Sequence, residues 1–106
     1  MPMIKIDTYE VMYYSNDSDR RIQLKGSGKR IGQLLFLKNG TVLPKDSKGP
    51  EGHVNLYYHL EDFQNIMDLL RNESPLYLFY PPKFEMEHYC ENGIRTNIEN
   101  VGEGEI

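Results

Sequence analysis

The sequence predicts an α+β domain in which one helix packs on one face of a curved antiparallel sheet. Residues 53–59 alternate between apolar and polar side chains, as in a half-buried strand. Residues 60–72 then change to the spacing of an amphipathic helix. Residues 76–80 form a short apolar run between two prolines, which is typical of a buried strand. These three segments therefore predict a strand, a helix and a strand in succession.

The predicted helix covers about residues 60–72 and has one apolar face. The residues of that face are Leu60, Phe63, Ile66, Met67, Leu69 and Leu70. Acidic side chains in the first turn and Arg71 in the last turn suit the helix dipole. Pro75 prevents the helix from continuing, so its carboxyl end is fixed close to Asn72.

Several shorter strands are predicted before this segment. Residues 3–14 are rich in β-branched and aromatic side chains, but the alternation changes phase near Asp7, which predicts a bulge or a break into two short strands. Residues 21–25 alternate regularly, with Ile22 and Leu24 on the apolar side. Residues 31–38 form the next predicted strand.

Two glycine-containing segments predict hairpin turns. Residues 26–29, with the sequence GSGK, lack the preceding glycine and the following hydroxyl residue of a Walker phosphate loop, so they predict a hairpin tip instead. Asn39 and Gly40 both tolerate positive φ, and they predict a second hairpin in which residues 41–43 pair back with the preceding strand. Residues 15–19 are also rich in turn-forming side chains.

The remaining chain completes the predicted domain. Residues 93–101 can supply a last edge strand, which gives a single domain over residues 1–101 with five to seven strands in meander order. Residues 102–106 are predicted to form a disordered tail. Because a single helix cannot cover a sheet of this size, the sequence also predicts a homodimer.

Composition restricts the classes of protein that fit the chain. The chain has 106 residues, so it is large enough for one core and too small for two domains. Its single cysteine, Cys90, excludes an internal disulfide, and no leader or membrane-spanning run is seen, which favours a cytoplasmic protein without a membrane partner.

The charges are unevenly distributed along the chain. The net charge is −4, yet residues 20–48 carry eight basic side chains against one acidic side chain, a local charge of +7. Residues 49–106 carry −8. This basic block can mark a surface for an anionic partner, or it can be neutralised by the acidic segments that surround it.

The basic block suggests a candidate ligand surface. Its members are Arg20, Arg21, Lys25, Lys29 and Arg30, with Tyr13 and Phe36 as aromatic neighbours. Basic side chains interleaved with aromatic rings are typical of proteins that bind single-stranded nucleic acid. The order of strands followed by one helix between Ile22 and Arg71 also resembles the single-stranded DNA-binding group that includes the Whirly transcription factors. That resemblance is one of topology, and it implies no particular site residue here.

Catalytic and metal-binding motifs are not evident. Glu85, Glu87, His88, Cys90 and Glu91 cluster in sequence, but no second set of ligands follows at a spacing suited to zinc. We therefore predict no metal, no cofactor and no catalytic residues. The sequence favours a non-enzymatic binding or interaction module with a protein partner or an anionic ligand. Its alternatives are a single-stranded nucleic-acid-binding protein and, more remotely, a small enzyme whose pocket is not evident from sequence.

Overall fold

The computed structural model describes residues 3–15, 19–80 and 92–96, and we number the elements in these ranges in chain order. The strands are β1 (Met3–Ile6), β2 (Thr8–Tyr13), β3 (Arg20–Gly26), β4 (Lys29–Leu37), β5 (Ser47–Lys48), β6 (Val54–His59), β7 (Leu76–Phe79) and β8 (Gly93–Thr96). A 3₁₀ turn (Leu60–Asp62) leads directly into the helix α1 (Phe63–Asn72). The helix and the α+β class are therefore as the sequence predicts.

The strands form two sheets rather than the single meander sheet that we predicted. The larger sheet has the order β2-β3-β4-β6-β5, and the smaller has the order β1-β7-β8. All neighbouring strands are antiparallel except β4 and β6, which are parallel. The meander order was wrong because β7 pairs with β1, near the start of the chain, and not with the sheet that contains β6.

The predicted change of phase near Asp7 is the place where the chain passes from the small sheet to the large one. β1 ends at Ile6 and β2 begins at Thr8. The backbone amide of Asp7 donates to the carbonyl of Lys25 over 2.8 Å, and its carboxylate accepts from the amide of Ser27 over 2.6 Å. These bonds hold the bend against the β3–β4 hairpin, whose turn residues Ser27 and Gly28 both have positive φ. Residues 26–29 are thus a hairpin tip, as predicted.

The second predicted hairpin does not form. Asn39 and Gly40 do make a turn, because the amide of Thr41 donates to the carbonyl of Lys38 over 3.1 Å, but the following residues are not a strand. The free side of β4 is occupied by β6. The physical reason is burial: β6 buries Val54 and Leu56 almost completely, whereas Val42 is 92 % exposed.

Residues 38–53 therefore connect two parallel strands, and side chains hold this connection in place. The carboxylate of Asp46 accepts from the backbone amide of Tyr57 over 2.8 Å and from the side-chain amide of Asn92 over 3.1 Å. The side chain of Asn39 accepts from the amide of Glu61 over 2.8 Å. Nε2 of His59 lies 2.7 Å from the carbonyl oxygen of Thr41. The connection is thereby fixed along the edge of the large sheet.

One face of the large sheet, which we call the inner face, carries the core. The fully or nearly fully buried members of the core are Ile22, Leu24, Leu34, Phe36, Val54, Leu56, Ile66, Met67 and Leu78. They come from the large sheet, from α1 and from β7, so the helix and the small sheet together cover the inner face. The small sheet supplies the cover that we had expected from a second copy of the chain.

Gly32 of β4 lies beside Val54 of the same sheet and against Leu78 of the small sheet. A Cβ atom added there would stand 2.6 Å from the carbonyl oxygen of Val54 and 3.1 Å from Leu78. Gly26 is similarly placed against the carbonyl oxygen of Lys5. The absence of a side chain at these two positions lets the small sheet pack on the large one.

Some predicted features fall in residues that the structure does not describe. The middle of the turn at residues 15–19, the acidic segment at 83–91 and the tail at 102–106 lie outside the described ranges. The predicted last strand is present as β8 over its first four residues. Within the described ranges, no helix has both the length and the apolar character needed to span a bilayer.

Candidate functional site

The face of the large sheet opposite the core, here called the outer face, is not covered by any described element. Side chains alternate along each strand, so the residues next to core positions point to this face. On the four longer strands they are Thr8, Glu10, Met12, Arg21, Gln23, Lys25, Arg30, Gln33, Leu35, Leu37, Asn55, Tyr57 and His59. The outer face is therefore an open surface that extends over four neighbouring strands.

A row of polar side chains crosses the middle of the outer face. Cα pairing places Glu10 beside Gln23 and then Gln33, and Gln33 lies beside Asn55. The amide nitrogen of Gln33 donates to Asn55 over 2.8 Å, and Asn55 donates to the hydroxyl of Ser47 over 3.3 Å. This row joins β4, β6 and β5 through side-chain hydrogen bonds. Its amide groups offer donors and acceptors to a ligand lying across the strands.

Three basic side chains flank this row on the outer face. Lys25 pairs directly with Arg30, and Arg21 lies on the other side of the row, opposite Leu35. Like charges that stand directly opposite each other across two strands are destabilising. Within the described residues, the side chains of Lys25 and Arg30 form no ion pair or hydrogen bond. An anion bound between them would relieve this repulsion.

The predicted site residues divide between the two faces of the sheet. Arg21, Lys25 and Arg30 share the outer face, and Lys29 is exposed beside them at the hairpin. Arg20 points to the inner side, where its guanidinium lies 4.5 Å from the ring centre of Tyr13 and 5.5 Å from that of Phe63. The proposed stripe of all five basic residues is therefore not brought together on one face.

The two predicted aromatic residues also belong to the inner side. Phe36 is fully buried, with its ring stacked on Tyr58 at a centroid distance of 5.4 Å. Tyr13 is 63 % exposed, and its edge packs against Phe63 at 5.6 Å. The aromatic ring that does share the outer face with Arg21 is Tyr57, which lies one strand beyond Leu35.

Sequence reasoning missed two features of this surface. The sequence already indicated that Arg20 points inward, because Arg20 has the same phase of alternation as Ile22 and Leu24, which point inward. The row formed by Gln33, Asn55 and Ser47 had no comparable signal, since it depends on which strands are neighbours.

A groove runs between the open edge of β2 and the helix α1. One part, of about 320 Å³, is lined by Val11, Tyr13, Phe63, Gln64, Met67 and Arg71. A second part, of about 210 Å³, continues past Arg71 between Tyr9 and the end of α1. Within the described residues β2 pairs only with β3, so the other side of this six-residue strand is unpaired.

Among the described residues, Tyr58 is the titratable group whose pKa is clearly shifted by its surroundings. Its ring is largely buried against Phe36, and burial raises the pKa of Tyr58 to about 12, with the nearby negative charges of Asp46 and Asp62 acting in the same direction. A phenol with so high a pKa stays protonated at neutral pH, so it is unsuited to accept a proton in catalysis.

The described residues contain no group of three or more side chains suited to hold a metal ion. The acidic cluster that includes His88 and Cys90 lies outside the described ranges. Comparison with known proteins gives no match: no family model, no curated protein and no solved structure is significantly similar to this chain.

Proposed function

We propose that the protein is a small, non-enzymatic binding module, and that its outer face binds an extended anionic ligand, with single-stranded nucleic acid as the best-fitting class. The observation that carries this proposal is the direct pairing of Lys25 with Arg30 on an uncovered sheet face, with Arg21 on the other side of the polar row. Phosphates spaced along a single strand would separate these like charges and pair with them. Binding would then be driven by the release of counterions.

The rest of the outer face supports the same class of ligand. Tyr57 is half-buried on the outer face, and an aromatic ring there offers a surface on which a base can stack. Gln23, Gln33 and Asn55 offer amide groups that suit the polar edges of bases. Glu10 is the only acidic side chain among the outward positions of the four longer strands, and it lies at the margin of the sheet. The negative charge of the whole chain therefore does not oppose a ligand on this face directly.

The proposal is tested by the salt dependence of oligonucleotide binding. We expect a fluorescently labelled single-stranded oligonucleotide to bind at low salt, with an affinity that falls steeply as salt is added. Replacing both cations, Lys25→Gln with Arg30→Gln, should reduce the slope of log affinity against log salt by roughly 1 to 2, because each phosphate contact contributes somewhat less than one. Fluorescence anisotropy titrations measure both quantities.

The matched control removes two positive charges elsewhere. Lys5 is on β1 and Arg95 is on β8, both in the small sheet that covers the inner face. The double variant Lys5→Gln with Arg95→Gln has the same net charge as the test variant, so its slope should stay near that of the parent protein. Equal slopes for the two double variants, or no binding at ~20 mM salt, would refute nucleic-acid binding at the outer face.

Two further features belong to the proposed function. We propose that the protein acts in the cytoplasm, on the grounds that its single cysteine leaves no internal disulfide to depend on an oxidising compartment. We also propose that it is a homodimer. The dimer is no longer needed to cover the inner face, and what supports it instead is the unpaired edge of β2.

A further inference from the structure

Among the described residues, the edge of β2 that faces away from β3 is unpaired, and β2 carries few of the features that usually protect such an edge. β2 is six residues long and contains no proline and no lysine, and Tyr13 at its end is 63 % exposed. Natural edge strands are commonly kept from pairing by prolines, lysines, bulges or very short length. The opposite edge of the same sheet, β5, has only two residues. The unprotected edge of β2 is therefore suited to pair with another strand.

We infer that this edge pairs with β2 of a second copy of the chain, antiparallel, with Val11 opposite its own counterpart. The inference rests on the homodimer proposed above and specifies its interface. A two-fold axis perpendicular to the sheet would join the two large sheets into one continuous sheet of ten strands, five from each copy. Inner residues then stay on the inner face in both copies.

The pairing register of the two β2 strands is determined by the face to which each side chain points and by the charge of Glu10. Directly opposed residues of antiparallel strands point to the same face, so the axis must pass through a residue and not between two residues. The two central candidates in β2 are Glu10 and Val11. An axis at Glu10 would put two carboxylates directly opposite each other, which is unfavourable. An axis at Val11 avoids this contact.

With the axis at Val11, the side chains of the two strands are complementary. On the inner face, Tyr9 would lie opposite Tyr13 of the second copy, and the two copies of Val11 would meet between these tyrosine pairs. Aromatic and β-branched pairs of this kind stabilise neighbouring strands. The tyrosines of the second copy would enter the groove beside α1, which contains Phe63, Met67 and the cation of Arg71.

Charge is also complementary on the outer face. Glu10 of the second copy would lie opposite Met12, and Met12 pairs with Arg21 of the first copy. The carboxylate and the guanidinium are then in one row, separated by a single thioether side chain. Nε of Arg21 is buried and makes no hydrogen bond within the described residues. The two-fold symmetry repeats this arrangement on the other side of the axis.

The register is tested by cysteine cross-linking of the full chain. In a Cys90→Ser background, Val11→Cys should form a disulfide-linked dimer on mild oxidation, because opposed Cα atoms are about 5 Å apart and a disulfide spans that distance. Glu10→Cys and Met12→Cys are matched controls. Each would face its own counterpart only diagonally, at about 8 Å, which is too far for a disulfide. Non-reducing electrophoresis distinguishes the three variants, and a thermal melt of each establishes that it is folded.

Light scattering on the parent chain provides the second measurement. The expected mass is about 25 kDa, twice the 12.4 kDa of one chain. A dimer mass without cross-linking of Val11→Cys would overturn the β2 interface and leave the dimer intact. Cross-linking of Glu10→Cys in place of Val11→Cys would overturn the register. A monomer mass at tens of micromolar would overturn both the dimer and its interface, and oligonucleotide binding is measured independently of these outcomes.

Discussion

Tyr58 packs against the core, and its pKa also depends on Asp46 in the connection between β4 and β6. Its ring is stacked on Phe36, and its hydroxyl lies close to β8, 3.7 Å from where a Cβ on Gly93 would be. Burial is the largest cause of its raised pKa, followed by the charges of Asp46 and Asp62. The protonated phenol is the form that this environment favours.

The stability of the protein should therefore depend on Tyr58 at high pH. Folding raises the pKa from about 10 to about 12, so the folded state holds this proton more tightly than the unfolded state. The contribution is fully present below pH ~10 and is lost as the pH rises through ~12, which amounts to about 3 kcal/mol in the free energy of unfolding. Urea unfolding across this range should therefore show the parent losing stability relative to Tyr58→Phe.

The control for this prediction is Ile66→Val, which removes one buried methylene group and no titratable group. Its difference from the parent should stay constant between pH 10 and pH 12 within about 0.5 kcal/mol. If Tyr58→Phe behaves in the same way as Ile66→Val, the environment of Tyr58 does not favour the protonated form.

Helix α1 is attached to the sheet mainly through its first turn and its centre. Ile66 and Met67 are buried, and Phe63 packs edge-on against both Phe36 and Tyr13. The apolar stripe that the sequence predicts is thus the face that meets the core. A helix of ten residues is marginal in water on its own, so these contacts decide whether α1 forms.

Truncating Phe63 should weaken this attachment. We expect Phe63→Ala to lower the free energy of unfolding by about 3 kcal/mol, at the lower end for a core aromatic because the ring is only partly buried. Tyr13→Ala is the matched comparison, since it removes the exposed partner of the same ring pair and should cost only about 1 kcal/mol. Chemical unfolding measures both values. Equal losses would mean that Phe63 does not anchor the helix.

β2 takes part in both the proposed ligand surface and the proposed dimer interface. One of its faces contributes to the core through Tyr9 and Val11, and the other borders the outer face through Glu10 and Met12. Pairing of two copies along this strand would extend the outer face without altering it, because the two-fold axis keeps both outer faces on the same side.

At the scale of the whole molecule, the proposed dimer would join two ligand surfaces. Neighbouring strands are about 4.8 Å apart, so the copies of Arg21 would stand about 15 Å from each other across the two β2 strands. A single-stranded ligand that is long enough would contact both copies. The second contact would then be intramolecular, which raises the overall affinity without any new type of interaction.

This coupling predicts a dependence on oligonucleotide length. The oxidised, cross-linked Val11→Cys protein should bind an oligonucleotide of ~12 nucleotides at least about tenfold more tightly than the reduced protein diluted to nanomolar concentration. An oligonucleotide of ~6 nucleotides should bind both forms equally, because it spans one copy only. Anisotropy titrations with the two lengths make the comparison. Equal gains for both lengths would show that the two outer faces do not act together.

The sequence alone determined the local elements of this protein. The alternation predicted for residues 53–59, the helical stripe predicted for residues 60–72 and the change of phase near Asp7 each depend on neighbouring positions. The structure has β6 over Val54–His59, a 3₁₀ turn and α1 over residues 60–72, and a break between β1 and β2 at Asp7. The hairpin tip at Ser27 and Gly28 follows from the backbone freedom of two residues. The outward direction of Arg21 and Lys25 follows from the same alternation, and both side chains point outward in the structure.

The tertiary structure alone decided which strands are neighbours. The turn at Asn39 and Gly40 is compatible with a hairpin, but β6 takes the place beside β4 because it buries more apolar surface than residues 41–43 could. The pairing of β6 with β4 places Tyr57 beside Leu35 and Asn55 beside Gln33 on the outer face. Strand pairing is a competition between segments distant in the chain, and its outcome depends on total burial, which no local pattern encodes.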